Sequence, residues 1–380
     1  MDGLELLPVL YIRAKSHYDI GLTVGKTFKS WINDYCNTSN DLKRFREFYQ
    51  HEEGKKIVDR YIDTSNKSHP GIMSEIRGMA DGAGLQFVDI FLLQIASELD
   101  FYHIEEIAAG DVDGNKISKG CTDILVNRKK SRVIGHNDDW TDEVSAYVYI
   151  VHVTLTDGNG SEMEQFVSYC YPGYLPGFCY GMNKSLVITL NSLHPNDINR
   201  NSTPLLICLR SLFKCHTIDD CLKTMENGSY GCAFGMNINI AEINNTGMCS
   251  IEVYPDKGDT KFDLHHVPIE SQASSDWYYI HANMYKHTNI EQTVTGAGAQ
   301  LRDQRASEMP PPRNVDDVRT ILGDTEDKKE PIYRIPNTAH INPASKTSAT
   351  AVFDIDERMM LVYRSNPKTA TAPILTIPFL

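Results

Sequence analysis

The texture of this chain changes at one point, and that change limits what it can fold into. Up to residue 99 the apolar residues recur at helical spacing; beyond Cys121, runs rich in β-branched and aromatic residues take over. A short strand over residues 8–13 comes first. Ser16 followed by Asp19 is a helix-opening pair, and Ile20, Val24, Phe28 and Ile32 then lay a stripe along one helical face. Gly21 and Gly25 share that spacing and suit close helix packing. Residues 40–65 are charged and helical in character. Pro70 starts a helix through Ile72, Ile76, Met79 and Ala80 that stops at Gly82-Ala83-Gly84, and Phe87 to Leu99 reads as one further apolar helix. Residues 101–119 lack periodicity, carry the turn signal Asp113-Gly114 and read as a flexible segment.

Downstream, strands are predicted at 124–126, 132–134, 147–155, 165–169 and 186–190, then helices at 203–213 and 217–226. Strands follow at 234–243 and 248–254, helices at 299–308 and 315–322, and a closing hairpin from 349–354 and 359–364. This order predicts an α+β fold, antiparallel sheets covered by helices, not a doubly wound parallel sheet.

At the seam stands Lys119-Gly120-Cys121-Thr122-Asp123. A small residue before a cysteine that opens a hairpin suits a thiol attacking its own peptide bond, because Gly120 has no Cβ to shield the carbonyl. An acyl shift from nitrogen to sulfur, then hydrolysis, would leave Cys121 as a new N-terminus. Its α-amine, with a reference pKa of about 7.7–8.0, could then serve as base for its own thiol. The expected products are residues 1–120 and 121–380, both within one structural domain. Gly135-His136-Asn137-Asp138-Asp139-Trp140 lies where a hairpin would return Asp139 to the sulfur; the plainer reading makes Asp138 and Asp139 turn residues. His136 lacks a second histidine at ligand spacing, so no metal is expected.

Composition excludes several classes. The net charge of −13 argues against a nucleic-acid partner. No apolar run approaches the length of a membrane helix, and Met1-Asp2-Gly3-Leu4-Glu5 lacks the basic start of a secretory signal, so a cytoplasmic protein is expected. Nine cysteines without a disulfide-like pattern or a Cys-x-x-Cys pair read as free thiols.

Taken in order, these motifs resemble the acyl-coenzyme A:6-aminopenicillanic acid acyltransferase family, whose cysteine N-terminal-nucleophile precursors cleave themselves at Gly-Cys. Gly120-Cys121-Thr122 and Gly135–Asp139 carry the resemblance. Ser16–Gly21, Glu75–Gly84, Tyr171-Pro172-Gly173 with Gly181-Met182-Asn183, and Ile280-His281-Ala282-Asn283 extend it along the chain, with Ala282 in place of threonine.

The resemblance implies a four-layer αββα N-terminal-nucleophile hydrolase sandwich. It implies Cys121 as nucleophile, Asp139 beside the new terminus, and Asn283 as donor to the oxyanion. The family's Ser-Arg pair corresponds to Ser345-Lys346, a departure that leaves this position's role open, since lysine keeps the charge without the fork of arginine. Arg302 and Arg305 match family arginines and read as structural ion pairs. Tyr169, Tyr171, Tyr174 and Phe178 are candidates for an apolar slot or for core.

Within the family the chain is most similar to arthropod members that cleave β-alanyl amides of biogenic amines. That implies hydrolysis of a small-molecule amide through a thioester, without a cofactor, by two associated fragments. An acyl-coenzyme A-dependent transferase and an unprocessed scaffold are the alternatives.

Overall fold

The computed structural model describes residues 7–108, 120–226, 231–255, 262–269, 278–292, 296–338 and 345–380. The expected segment 101–119 is helical to Ala108, and its remainder, with the Asp113-Gly114 turn, lies outside the described residues.

Fourteen strands among the described residues form two sheets. The strands are β1 (Val9–Ala14), β2 (Gly120–Arg128), β3 (Ser131–Trp140), β4 (Tyr149–Thr156), β5 (Glu162–Cys170), β6 (Tyr180–Asn183) and β7 (Leu186–Leu193). They continue with β8 (Gly235–Glu242), β9 (Met248–Pro255), β10 (Phe262–Pro268), β11 (Tyr279–Ala282), β12 (Lys346–Asp354), β13 (Met359–Tyr363) and β14 (Leu375–Pro378). One sheet has the order β1-β4-β5-β6-β7-β8-β9-β10 and the other β11-β2-β3-β12-β13-β14. Only β1 against β4 is parallel among these pairings.

Helices cover the outer faces. The helices among the described residues are α1 (His17–Thr27), α2 (Lys29–Thr38), α3 (Asn40–Gln50), α4 (Glu52–Ser68), α5 (Pro70–Ala83), α6 (Phe87–Gln94), α7 (Ala96–Ala108), α8 (Asp142–Ser145), α9 (Leu205–Leu212), α10 (Ile218–Glu226), α11 (Gly296–Glu308) and α12 (Val315–Leu322). Helix α1 lies on β1 and β4 of the larger sheet, while α11 and α12 lie on the smaller one. The result is α+β in four layers, helix, sheet, sheet, helix.

Alternation along β2 and β3 fixes which side chains meet which layer. Leu125 and Ile134 join the main core between the sheets, whereas Ile124, Val126 and Val133 pack outward against Val318, Ile321 and Leu322 of α12. Burial on this scale contributes about 1.5–3 kcal/mol for each such side chain. Helices α1 and α5 touch backbone to backbone: a Cβ at Gly21 would stand 1.8 Å from the Glu75 carbonyl oxygen, and one at Gly78 would stand 2.1 Å from that of Tyr18.

Three expectations change. The apolar stretch 87–99 is two helices that break at Ile95. Asp138 and Asp139 lie inside β3 rather than in a turn, because the hairpin turns at Lys129-Lys130. The hairpin β12–β13 does not close the chain, since β14 adds a further strand.

Candidate active site

The site lies at one end of the smaller sheet and uses both of its faces. Cys121 is opposite Asp138 in the β2–β3 ladder, and Gly120 is opposite Asp139. Directly paired residues share a face, so Cys121, Asp138 and Trp140 look inward, between the sheets. Asp139 looks outward, toward α11. A β-hairpin with two residues at its turn is what sets this register.

Asn283 follows directly on β11, which pairs with β2 on its other side, Ala282 opposite Thr122. Its Oδ1 accepts from the Cys121 backbone N–H at 2.8 Å and from Arg302 at 2.9 Å. Its Nδ2 donates to the Ser192 carbonyl at 3.0 Å, which leaves one amide N–H for another acceptor.

On the outward side two guanidiniums meet. Arg302, from α11, donates to the Cys121 carbonyl at 2.5 Å and to Thr122 Oγ1 at 2.6 Å. Arg334 donates to Ser345 Oγ at 2.8 Å and to Glu330, and its Nε lies 3.4 Å from Asp139 Oδ2. Thr347 donates to Asp139 Oδ1 at 2.7 Å. A Cβ on Gly120 would stand 2.9 Å from the tip of the Arg334 guanidinium, so a larger residue there would have to displace that side chain. Burial, reinforced by the charge of Arg334, pulls Arg302 down to about 10, against Asp139 and Glu330.

On the inward side Asp138 is almost fully buried. It accepts from the Tyr171 hydroxyl and from the Cys179 thiol, the latter at 3.3 Å. Burial pushes its carboxyl up to about 6, against the hydrogen bond from Tyr171, which pulls it down. Burial also pushes the Cys121 thiol up, opposed by His136.

Gly120, Cys121, Asp138, Asp139, Trp140, Phe178 and other residues enclose a recess of about 20 Å³, which is room for about one water. Tyr171 and Tyr174 stand behind this wall: Tyr171 is edge-on to Trp140, and Tyr174 stacks on Phe178.

Cys121, Asp139, Asn283 and Ser345 are thus brought into one connected cluster. Lys346 is not: it pairs with Asp142 at 2.5 Å away from the cluster. The guanidinium beside Ser345 comes instead from Arg334, in a loop between prolines whose lack of periodicity hides it in the sequence. Arg302, read as structural, contacts Cys121 directly, whereas Arg305 pairs with Asp324 at 2.9 Å. No cluster of three or more His, Cys, Asp or Glu side chains that could hold a metal ion occurs among the described residues. No helix among them is long and apolar enough to cross a membrane.

Over 99% of its length the chain is 28% identical to a Drosophila melanogaster protein called beta-alanyl-dopamine/carcinine hydrolase, 97% of which is covered. Two solved variants of a conjugated bile acid hydrolase from Clostridium perfringens align at 13% and 12% identity with TM-scores of 0.36 and 0.37. They cover 68% of this chain and 96% and 97% of theirs. Residues 126–369 match the family described as acyl-coenzyme A:6-aminopenicillanic acid acyl-transferase, a span that begins just after the Gly120–Cys121 pair. The chain belongs to that family.

Proposed function

We propose that this protein is a self-processing cysteine amidohydrolase that cleaves N-β-alanyl amides of biogenic amines to β-alanine and the free amine. The observation that carries the reaction type is the constellation at Cys121. Its nitrogen is held by Asn283 Oδ1, its carbonyl by Arg302, and its preceding residue is a glycine pressed against Arg334.

Cleavage of the Gly120–Cys121 bond releases the α-amine, with Asp139 and Asn283 beside it. The amine takes the thiol proton, the thiolate attacks the substrate carbonyl, and the spare N–H of Asn283 stabilises the oxyanion. A single such donor is worth about 2.7–4 kcal/mol at the transition state. The amine product leaves with the proton, and water hydrolyses the thioester. Gly120 is itself part of the wall of the recess, so its release also opens a space that holds only about one water in the uncut chain.

Asp138 supports the β-alanyl part of the reading. It is the cross-strand neighbour of Cys121 and, among the described residues, forms no ion pair with a lysine or arginine. Directly paired Cβ atoms stand about 4.5–5.5 Å apart, a span that suits an ammonium two methylenes from the carbonyl under attack. Trp140 and Phe178 complete an apolar wall for an aromatic amine.

The first test is the denatured mass of the purified protein beside a Cys121→Ala chain. Wild type is expected as two fragments of about 13 and 29 kDa, at roughly 110 Da per residue. The variant is expected whole, at 42.8 kDa. A wild-type chain that stays whole after prolonged incubation rules out the mechanism.

A further inference from the structure

Self-cleavage raises a difficulty that turnover does not. Before the cut, the Cys121 nitrogen is an amide and offers no lone pair to take the thiol proton, while burial holds that thiol protonated. Another base is needed.

His136 occupies the right place. It is opposite Asp123 in the β2–β3 ladder, one step along the same inward face from the Cys121–Asp138 pair. It is fully buried between the sheets. Its Nδ1 lies 3.0 and 3.1 Å from the two oxygens of Asp123. A carboxylate only accepts, so in the neutral ring Nδ1 carries the proton and Nε2 presents its lone pair. Asp123 is held in turn from the opposite sheet, by Thr189 Oγ1 and Asn191 Nδ2, each at 2.6 Å. Tyr180 meets the ring edge-on at 5.5 Å. Nε2 makes no hydrogen bond of ordinary geometry, although it is buried, and the thiol the ring interacts with is that of Cys121. A buried polar atom left without a conventional partner calls for an explanation.

We propose that His136, oriented by Asp123, is the base for the self-cleavage step. Nε2 takes the Sγ proton, and a bond forms between Sγ and the Gly120 carbonyl carbon. The carbon–nitrogen bond to Cys121 then breaks, and the same proton passes to the departing nitrogen. Water adds to the thioester, which leaves a Gly120 carboxylate and restores the thiol. The inference rests on the self-processing reading above and names the group that starts it.

Burial opposes charge on the ring, but Asp123, by charge and hydrogen bond, and Cys121 outweigh it and raise the His136 pKa well above its ordinary value. The ring is therefore a strong base that is protonated at neutral pH, and cleavage should quicken as pH rises and frees the Nε2 lone pair. The titratable groups that face the ring are Asp123 and Cys121 from β2, Asp138 on its own strand, and Tyr180 from β6.

The test is the rate at which the two fragments appear from chain freshly made by cell-free synthesis, followed by denatured mass across pH. His136→Gln is expected to slow cleavage about 10²–10⁴-fold. His136→Gly is expected to stay whole and to resume cleavage when imidazole is added, which a purely structural role would not allow. Asp123→Asn keeps the ring but removes the charge that raises its pKa, so the acid limb of the cleavage rate should move to lower pH.

If the wild type cleaves while His136→Gln and His136→Gly cleave within about threefold of it, the proposal is overturned and the self-processing reading stands. A His136→Gly chain that imidazole does not restore, together with an unmoved limb in Asp123→Asn, overturns it as well. A wild type that never cleaves removes the self-processing reading itself.

Discussion

Asp138 is a carboxylate held by two neutral donors, Tyr171 and Cys179, in a place where water scarcely reaches. Such a group stabilises an arriving ammonium strongly, because the cost of burying the carboxylate has already been met in folding. Asp138→Asn should therefore raise KM for a β-alanyl amide far more than for the matching propionyl amide, which has no ammonium. Loss of one partner of a buried charge pair costs on the order of 2–5 kcal/mol. Since the Asp138 carboxyl titrates at about 6, KM for the β-alanyl amide should fall as pH rises through that value. Tyr171→Phe removes a hydrogen bond that lowers this pKa, so the same limb should move to higher pH. Steady-state kinetics on the two amides from pH 5 to 8 checks both outcomes.

At this scale the sequence was informative where chemistry sits in short motifs. Cys121, Asp139 and Asn283 stand in recognisable local strings. Arg334 does not: it reaches Asp139 and Gly120 from a loop, and loop side chains leave no periodic trace. His136 was visible only as a candidate ligand, because its pairing with Asp123 depends on a hairpin register set by the turn at Lys129-Lys130.

Among the elements, α1 is docked by charge as well as by its glycine contact with α5. His17 at its first turn, Glu75 of α5, Glu164 of β5 and Arg210 of α9 form a buried cluster, with His17 Nδ1 3.0 Å from Glu75 and Arg210 2.9 Å from Glu164. Burial opposes charge on His17, but Glu164 and Glu75 overcome it and raise the ring to about 9. Burial likewise opposes charge on Glu164, yet Arg210 and then His17 bring it down to about 2.

The signs differ. The raised histidine contributes stability that is full below about 6.5 and is lost as pH rises through about 9. The depressed glutamate contributes stability that is present above about 4.5 and is lost as pH falls through about 2. Stability from this cluster should be flat between about pH 4.5 and 6.5 and decline on either side. Thermal melts across pH, beside Arg210→Ala, check this. The substitution leaves buried carboxylate without its partner and should cost on the order of 3–5 kcal/mol.

Long apolar stripes such as Ile20, Val24 and Phe28 made the helices of this layer legible. Short strands were not: β6, β11 and β14 have four residues each, too few for alternation to stand out, and they are ordered by their neighbours in the sheets.

For the molecule as a whole, the change of texture at Cys121 does not divide two bodies. Strand β1 comes from the first segment yet pairs in parallel with β4 of the second, in register from Val9–Ile150 to Ala14–Leu155. Helices α1 and α5 likewise lie against parts of the chain that follow Cys121. The α+β order was readable from periodicity, but this interleaving was not, because a strand's spelling does not say which partner it takes.

That parallel pairing has a consequence in time. If the chain cuts itself at Gly120–Cys121 as proposed, folding finishes while the polypeptide is continuous, and the cut then discards the connectivity that made β1 meet β4 within one molecule. The way back is then a different reaction from the way out. Uncut Cys121→Ala chain should refold from denaturant at a rate independent of its concentration. The cut protein should refold at a rate proportional to concentration, recovering poorly when dilute, which stopped-flow fluorescence at several dilutions would measure. Once cut in this way, the protein would keep its shape by history: its native form would be a state it can hold but, once lost, cannot readily find again.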